Sequence, residues 1–99
     1  MTDPVPSHLA STVAMLAAAF PEGVQEQERL PLLRALYDHM SDRNLAEAMA
    51  IVTKSSPDQV LNEVYAASQL DLTDPRVESV THRLRSHGFE RWSVEDEAT

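Results

Sequence analysis

The chain has 99 residues, 42% of them apolar, which suits a single domain with one hydrophobic core. Sixteen acidic residues against eight basic ones give a formal charge of −8, which disfavours a general nucleic-acid binder or a surface drawn to anionic lipid. Cysteine is absent, so disulfides, thiol catalysis and thiolate metal sites are excluded, and no apolar run of about twenty residues could span a bilayer.

The first predicted helix covers residues 7–20. Ser7 is placed to cap it, and Leu9, Val13, Leu16 and Phe20 recur at the spacing of one helical face. Pro21 and Gly23 end it. Residues 25–29 read as a polar loop or loose turn, and the second helix, 31–40, starts at Pro31, whose missing N–H suits a first helical position. Leu30, Leu33, Leu36 or Tyr37, and Met40 form its stripe. Ser41 caps a third helix, 42–54, with Leu45, Ala48, Met49 and Val52 on its buried side.

Ser56, Pro57 and Gln59 then supply a cap, a first residue and the third residue of a capping box for a fourth helix, 57–68. Val60, Leu61, Val64 and Tyr65 give it an apolar face. Asp74 and Pro75 repeat this start for a fifth helix, 75–87, carrying Val77, Val80 and Leu84 and stopping at Gly88. Phe89 and Trp92 follow, and the acidic residues 93–99 read as a disordered tail. Only two glycines are present, too few for a phosphate-cradling loop and unusual for an all-β domain. The expectation is an all-α bundle of five short helices within residues 7–92, one domain over 1–99. No basic segment precedes the apolar stretch near the N-terminus, so a cytoplasmic, non-membrane protein is expected.

Chemistry is sparse. His82 and His87 are five apart and fall on different helix faces, and Asp38, His39 and Asp42 read as a solvated helix junction instead of a ligand set. The glutamates lie on polar faces or in loops, and no serine stands in a nucleophile elbow. No enzyme activity and no cofactor or metal is therefore expected. A helix-turn-helix over residues 45–68 fails as a DNA reader, because its second helix carries Asp58 and Glu63 and no Lys or Arg.

Charge is uneven along the chain. Residues 1–75 sum to −7, residues 76–91 to +2 and residues 92–99 to −3. The candidate partner surface is thus the last helix and its exit: Arg83, Arg85, His87, Phe89, Arg91 and Trp92. Internal pairing with the surplus acids is the stronger reading of these arginines, and the two aromatics equally suit a core. A non-enzymatic, monomeric protein-interaction domain is the first functional reading. The alternative is a binder of a phosphorylated or acidic metabolite through the same arginines.

Several of these residues also carry a family likeness: Phe20-Pro21-Glu22-Gly23-Val24, Pro31-Leu32-Leu33 with Leu36, Met40-Ser41-Asp42, Asp74-Pro75 with Val77 and Val80, Arg83-Leu84, and Gly88-Phe89. In their order and spacing the chain resembles the small actinobacterial family of domains of unknown function numbered 3349, found mainly in mycobacteria and their relatives. The likeness spans about residues 13–92. It departs at Arg29-Leu30, where the family often has an aromatic residue, and at Phe89-Glu90, where Trp-Pro is usual. The resemblance implies a monomeric five-helix bundle and no established activity, and it transfers no catalytic or binding residue.

Overall fold

The helix starts predicted from Ser41, Ser56 and Asp74 all form. In the computed structural model, which describes the backbone of residues 6–98 and the side chains of 6–93, each of these residues accepts a hydrogen bond from an amide of the turn it opens. The Ser41 hydroxyl takes the Asn44 N–H at 3.2 Å, Ser56 that of Gln59 at 3.1 Å, and the Asp74 carboxylate that of Arg76 at 2.9 Å. Such caps contribute about 1 kcal/mol each by satisfying amides that have no helical partner.

Among the described residues the secondary structure is entirely helical: a 3-10 turn Ser7–Leu9, then α1 Ala10–Ala19, α2 Glu26–Tyr37, α3 Asp42–Thr53, α4 Pro57–Ala67, α5 Pro75–Arg85 and α6 Phe89–Ala98. The expected all-α class holds. The count of five helices does not.

The second and fifth helices end early, at Tyr37 and Arg85 where 40 and 87 were expected, and three further differences each have a local reason. Ser7 caps nothing; it lies in the 3-10 turn, whose bond from the Leu9 amide to the Pro6 carbonyl (2.9 Å) tucks Leu9 into the core before α1 begins. The second helix begins at Glu26, not at Pro31. Its opening is fixed by the Gln25 amide donating to the Glu28 carboxylate at 3.0 Å. Pro31 therefore sits inside α2, where the Gln27 carbonyl one turn back loses its partner. Gln27 is exposed, so water can take that place, while the Pro31 ring is buried.

The third difference is α6. The expected tail from Ser93 continues as helix through Ala98, and Thr99 lies outside the described residues. Gly88, at φ +90°, ends the α5 direction and also starts α6, since its carbonyl accepts the Trp92 amide at 2.9 Å. Phe89 and Trp92 then anchor the first turn by burial, at 7% and 4% exposure. Composition alone pointed to disorder; two buried rings reverse that.

α3 and α4 form a tight helical hairpin through Lys54, which adopts a left-handed conformation (φ 57°, ψ 40°) at the α3 C-terminus. α2 packs against α4 and α5, α1 against α3 and α5, and α6 closes over α1 and α5. Leu16, Leu32, Leu33, Leu36, Leu45, Met49, Val60, Val64, Val77 and Leu84 are buried where these helices meet. Each such side chain contributes about 1.5–3 kcal/mol on leaving water.

Two polar devices pin the bundle from inside. The Trp92 indole N–H donates to the Thr12 hydroxyl at 2.9 Å, and Thr12 is fully buried. The Arg29 guanidinium grips Glu63 with two bonds of 2.6 and 3.1 Å, joining α2 to α4, and also reaches Ser55 at 3.4 Å.

Candidate functional site

The arginines expected to form one basic strip are distributed to four different places. Arg76 folds back on its own cap, donating to Asp74 at 2.9 and 3.1 Å. Arg83 donates to the Ala19 carbonyl at 2.7 Å and to Glu28 at 3.1 Å, with its guanidinium 4.3 Å above the centre of the Phe20 ring. It thereby ties α5 to the end of α1 and the start of α2, a structural role. Arg85 lines a concavity beside Leu72, Glu78 and Thr81. Arg91 lines another, with His87, Gly88 and Trp92 across from Ser11, Ala14, Met15 and Ala18 of α1.

Phe89 and Trp92 belong to the core. Their rings stack at 5.7 Å, and the imidazole of His39 meets Phe89 edge-on at 5.3 Å and Trp92 at 5.9 Å. Of the predicted partner surface, then, His87 and Arg91 share one shallow concavity of about 360 Å³ with the edge of Trp92, while Arg83 and Arg85 face elsewhere. Asp38 pairs with Arg34 at 3.2 Å, so the Asp38, His39 and Asp42 junction is divided between an ion pair, an aromatic contact and a helix start. Among the described residues no group of three or more His, Asp or Glu is placed to hold a metal ion.

A different surface is assembled on the outer face of the α3–α4 hairpin. Asp42, Arg43, Ala46 and Glu47 of α3 and Pro57, Asp58, Leu61 and Tyr65 of α4 border a groove of about 580 Å³. Asp58, Leu61 and Tyr65 are three and seven residues apart, which sets them along one wall. Ala46, small and buried, forms part of the floor. Tyr65 is 59% exposed, a large aromatic ring left to solvent.

The acids of this groove lack close internal partners. Neither Asp42 nor Asp58 makes a side-chain ion pair among the described residues, and Glu47 has only Arg43 at 3.9 Å and His8 at 4.0 Å. Glu28, Asp38, Glu63 and Asp74, in contrast, each meet an arginine within 3.2 Å. Three carboxylates against one guanidinium leave the groove acidic. Asp42 and Asp58 also stand in the first turns of α3 and α4, where a carboxylate complements the helix dipole. Glu47 lies mid-helix and has no such role.

No family model, curated protein or solved structure matches the chain.

The titration behaviour of the described side chains points to structure. Hydrogen bonds from the Thr73 amide and then its hydroxyl hold the Asp71 carboxyl below the usual carboxylate range. The Arg76 side chain, then its amide, does the same for Asp74. Both are helix-start and turn contacts, remote from the groove.

Sequence reasoning missed the groove because it assigned Tyr65 and Leu61 to the buried face of the fourth helix. The buried line is Val60, Val64 and Ala67, and Leu61 and Tyr65 are each turned about 100° past one of its members. One signal was available: the short connection 54–56 obliges α3 and α4 to pack as neighbours, so their outward residues can border a common groove.

Proposed function

We propose that the chain is a non-enzymatic, monomeric protein-interaction domain of the cytoplasm, and that its docking surface is the α3–α4 groove. The observation that carries this reading is Tyr65: a tyrosine 59% exposed on the wall of a groove, beside the half-buried Leu61. Tyrosine is enriched among the residues that dominate binding energy, because it offers a large, rigid contact area at small entropic cost. The likeness to the actinobacterial family numbered 3349 stays with this proposal, since it implies a helical bundle and no assigned activity. Among the described residues no helix is long and apolar enough to cross a membrane, which is compatible with the proposed location.

The metabolite-binding alternative has less support. It needs several arginines converging on one anion, and Arg76 and Arg83 are held by Asp74 and Glu28.

Site-specific photo-crosslinking tests the proposal in the cells that make the protein. A benzophenone amino acid at position 65 is expected to trap a discrete heterologous adduct that the same probe at Glu90 on α6 does not give. No adduct at position 65, or an identical adduct set from both positions, overturns it.

A further inference from the structure

We infer that the α3–α4 groove receives an amphipathic α-helix of a partner protein that carries lysine or arginine beside its apolar face. The inference rests on the docking surface proposed above and adds the chemistry of its occupant.

The groove is built from two helices, whose backbone N–H and C=O groups beyond the opening turns are consumed by their own hydrogen bonds. It therefore offers no sheet edge, so an extended peptide would gain no backbone pairing from it. A helix arrives with its backbone bonds already made, and presents side chains three and four residues apart. That spacing matches the wall of Asp58, Leu61 and Tyr65, which runs for about 10 Å, or two helical turns. Apolar side chains of the incoming helix would lie on Ala46, Leu61 and Tyr65.

Charge selects among such helices. Asp42 and Asp58 have no ion-pair partner among the described residues, and Glu47 is held only at 3.9 and 4.0 Å. An acidic helix would set like charges together there, whereas ammonium or guanidinium groups on the rim would find waiting acceptors.

A second copy of this chain does not meet the requirement. Its one arginine-rich helix, α5, already buries Val77, Val80 and Leu84 in its own core, and two chains of −8 repel each other.

A phage-displayed library of random peptides of about 14 residues, long enough for roughly four helical turns, tests this on the full chain. Enriched peptides are expected to be net positive, with apolar residues three or four apart, and to gain helical circular dichroism on binding. Tyr65→Ala, and separately the pair Glu47→Gln with Asp58→Asn, should each weaken the selected peptides by about tenfold or more. Arg85→Ala, outside the groove, should leave them unchanged. All variants alter exposed or half-buried side chains, and an unshifted Trp92 emission confirms their fold. Acidic or neutral winners, extended bound peptides, or affinity indifferent to the groove variants overturn the inference, as does self-association through this face in sedimentation equilibrium. If the position-65 crosslink forms while the selected peptides are acidic, neutral or extended, the occupant's chemistry is wrong and the docking surface stands. If the crosslink fails as well, both fall.

Discussion

Thr12→Val removes one hydroxyl from the centre of the bundle while keeping the side chain's shape. Thr12 is fully buried and its Oγ1 accepts the Trp92 indole N–H at 2.9 Å, 80 positions along the chain. Indole nitrogen only donates, so the substitution leaves that N–H facing a methyl group in a residue only 4% exposed. An unsatisfied buried donor costs about 1–3 kcal/mol. In a domain of 99 residues, a loss of about 2 kcal/mol lowers Tm by roughly 8–16 °C. Thr12→Ser keeps the acceptor and gives up one methyl, so its loss should stay near 1 kcal/mol. Trp92 is the only tryptophan, and its fluorescence reports the affected site while far-UV circular dichroism follows the helices. The reasoning is refuted if Thr12→Val matches the parent within about 0.5 kcal/mol, or if the serine variant is the weaker of the two. Truncation after Gly88 extends the test. It removes Phe89 and Trp92, each worth about 3–5 kcal/mol on truncation, from a total stability of about 5–15 kcal/mol. The shortened chain is expected to lose most of its helicity; a cooperative thermal transition near the parent Tm would show that the stacked rings are peripheral.

Glu63→Gln removes the charge that holds Arg29 in a bidentate grip, with the two side chains only 26% and 15% exposed, and should lower stability by about 1–2 kcal/mol in urea titrations. Lys54→Gly relieves a left-handed backbone (φ 57°) that a side chain disfavours, so it should raise Tm, by an amount equivalent to about 0.5–1 kcal/mol. Asp71 and Asp74 titrate below their ordinary range in the folded chain, through Thr73 and Arg76 respectively, so the folded state binds fewer protons than the unfolded one. Their contribution is complete above the unfolded value, about pH 4, and is lost as pH falls through the folded values. Asp74→Asn should therefore flatten the acid limb of a Tm–pH profile and leave its slope near neutrality unchanged.

Helix starts were legible where a small polar side chain does the capping next to proline, as at Ser56-Pro57 and Asp74-Pro75, because the geometry involves only neighbouring residues. The same rule misled at Pro31. Proline suits a first turn, but α2 draws its start from Gln25 and Glu28 and accepts the proline mid-helix, where its ring fills the core. Tertiary burial outweighed the local signal. The tail at residues 93–98 shows the same override: its acids argued for disorder, and the buried Phe89 and Trp92 begin a helix that carries them. Core positions were easier, because Leu16, Leu33, Leu45, Met49, Val64, Val77, Val80 and Leu84 repeat at helical spacing and are all buried. Tyr65 escaped because a helix of 11 residues has a narrow buried line, and a residue one step off it reads as apolar face in sequence and as surface in space.

Counting charge along the chain could not reveal which arginines are already used. Arg83 and Glu28 are 55 positions apart, and Arg29 and Glu63 are 34 apart, yet each pair lies within 3.1 Å. In a chain with twice as many acids as bases, an arginine that reaches another helix meets a carboxylate there, so a locally positive segment becomes internal crosslinking. The acids left over are the ones without such a neighbour, and on the α3–α4 face three of them border the same groove as an exposed tyrosine. The excess negative charge is thus more than a solubility term. It biases any partner of that face toward basic side chains, and binding there should weaken as added salt screens the rim. A partner attracted instead to Arg83 would compete with Glu28 for a guanidinium that also holds the Ala19 carbonyl and lies over the Phe20 ring.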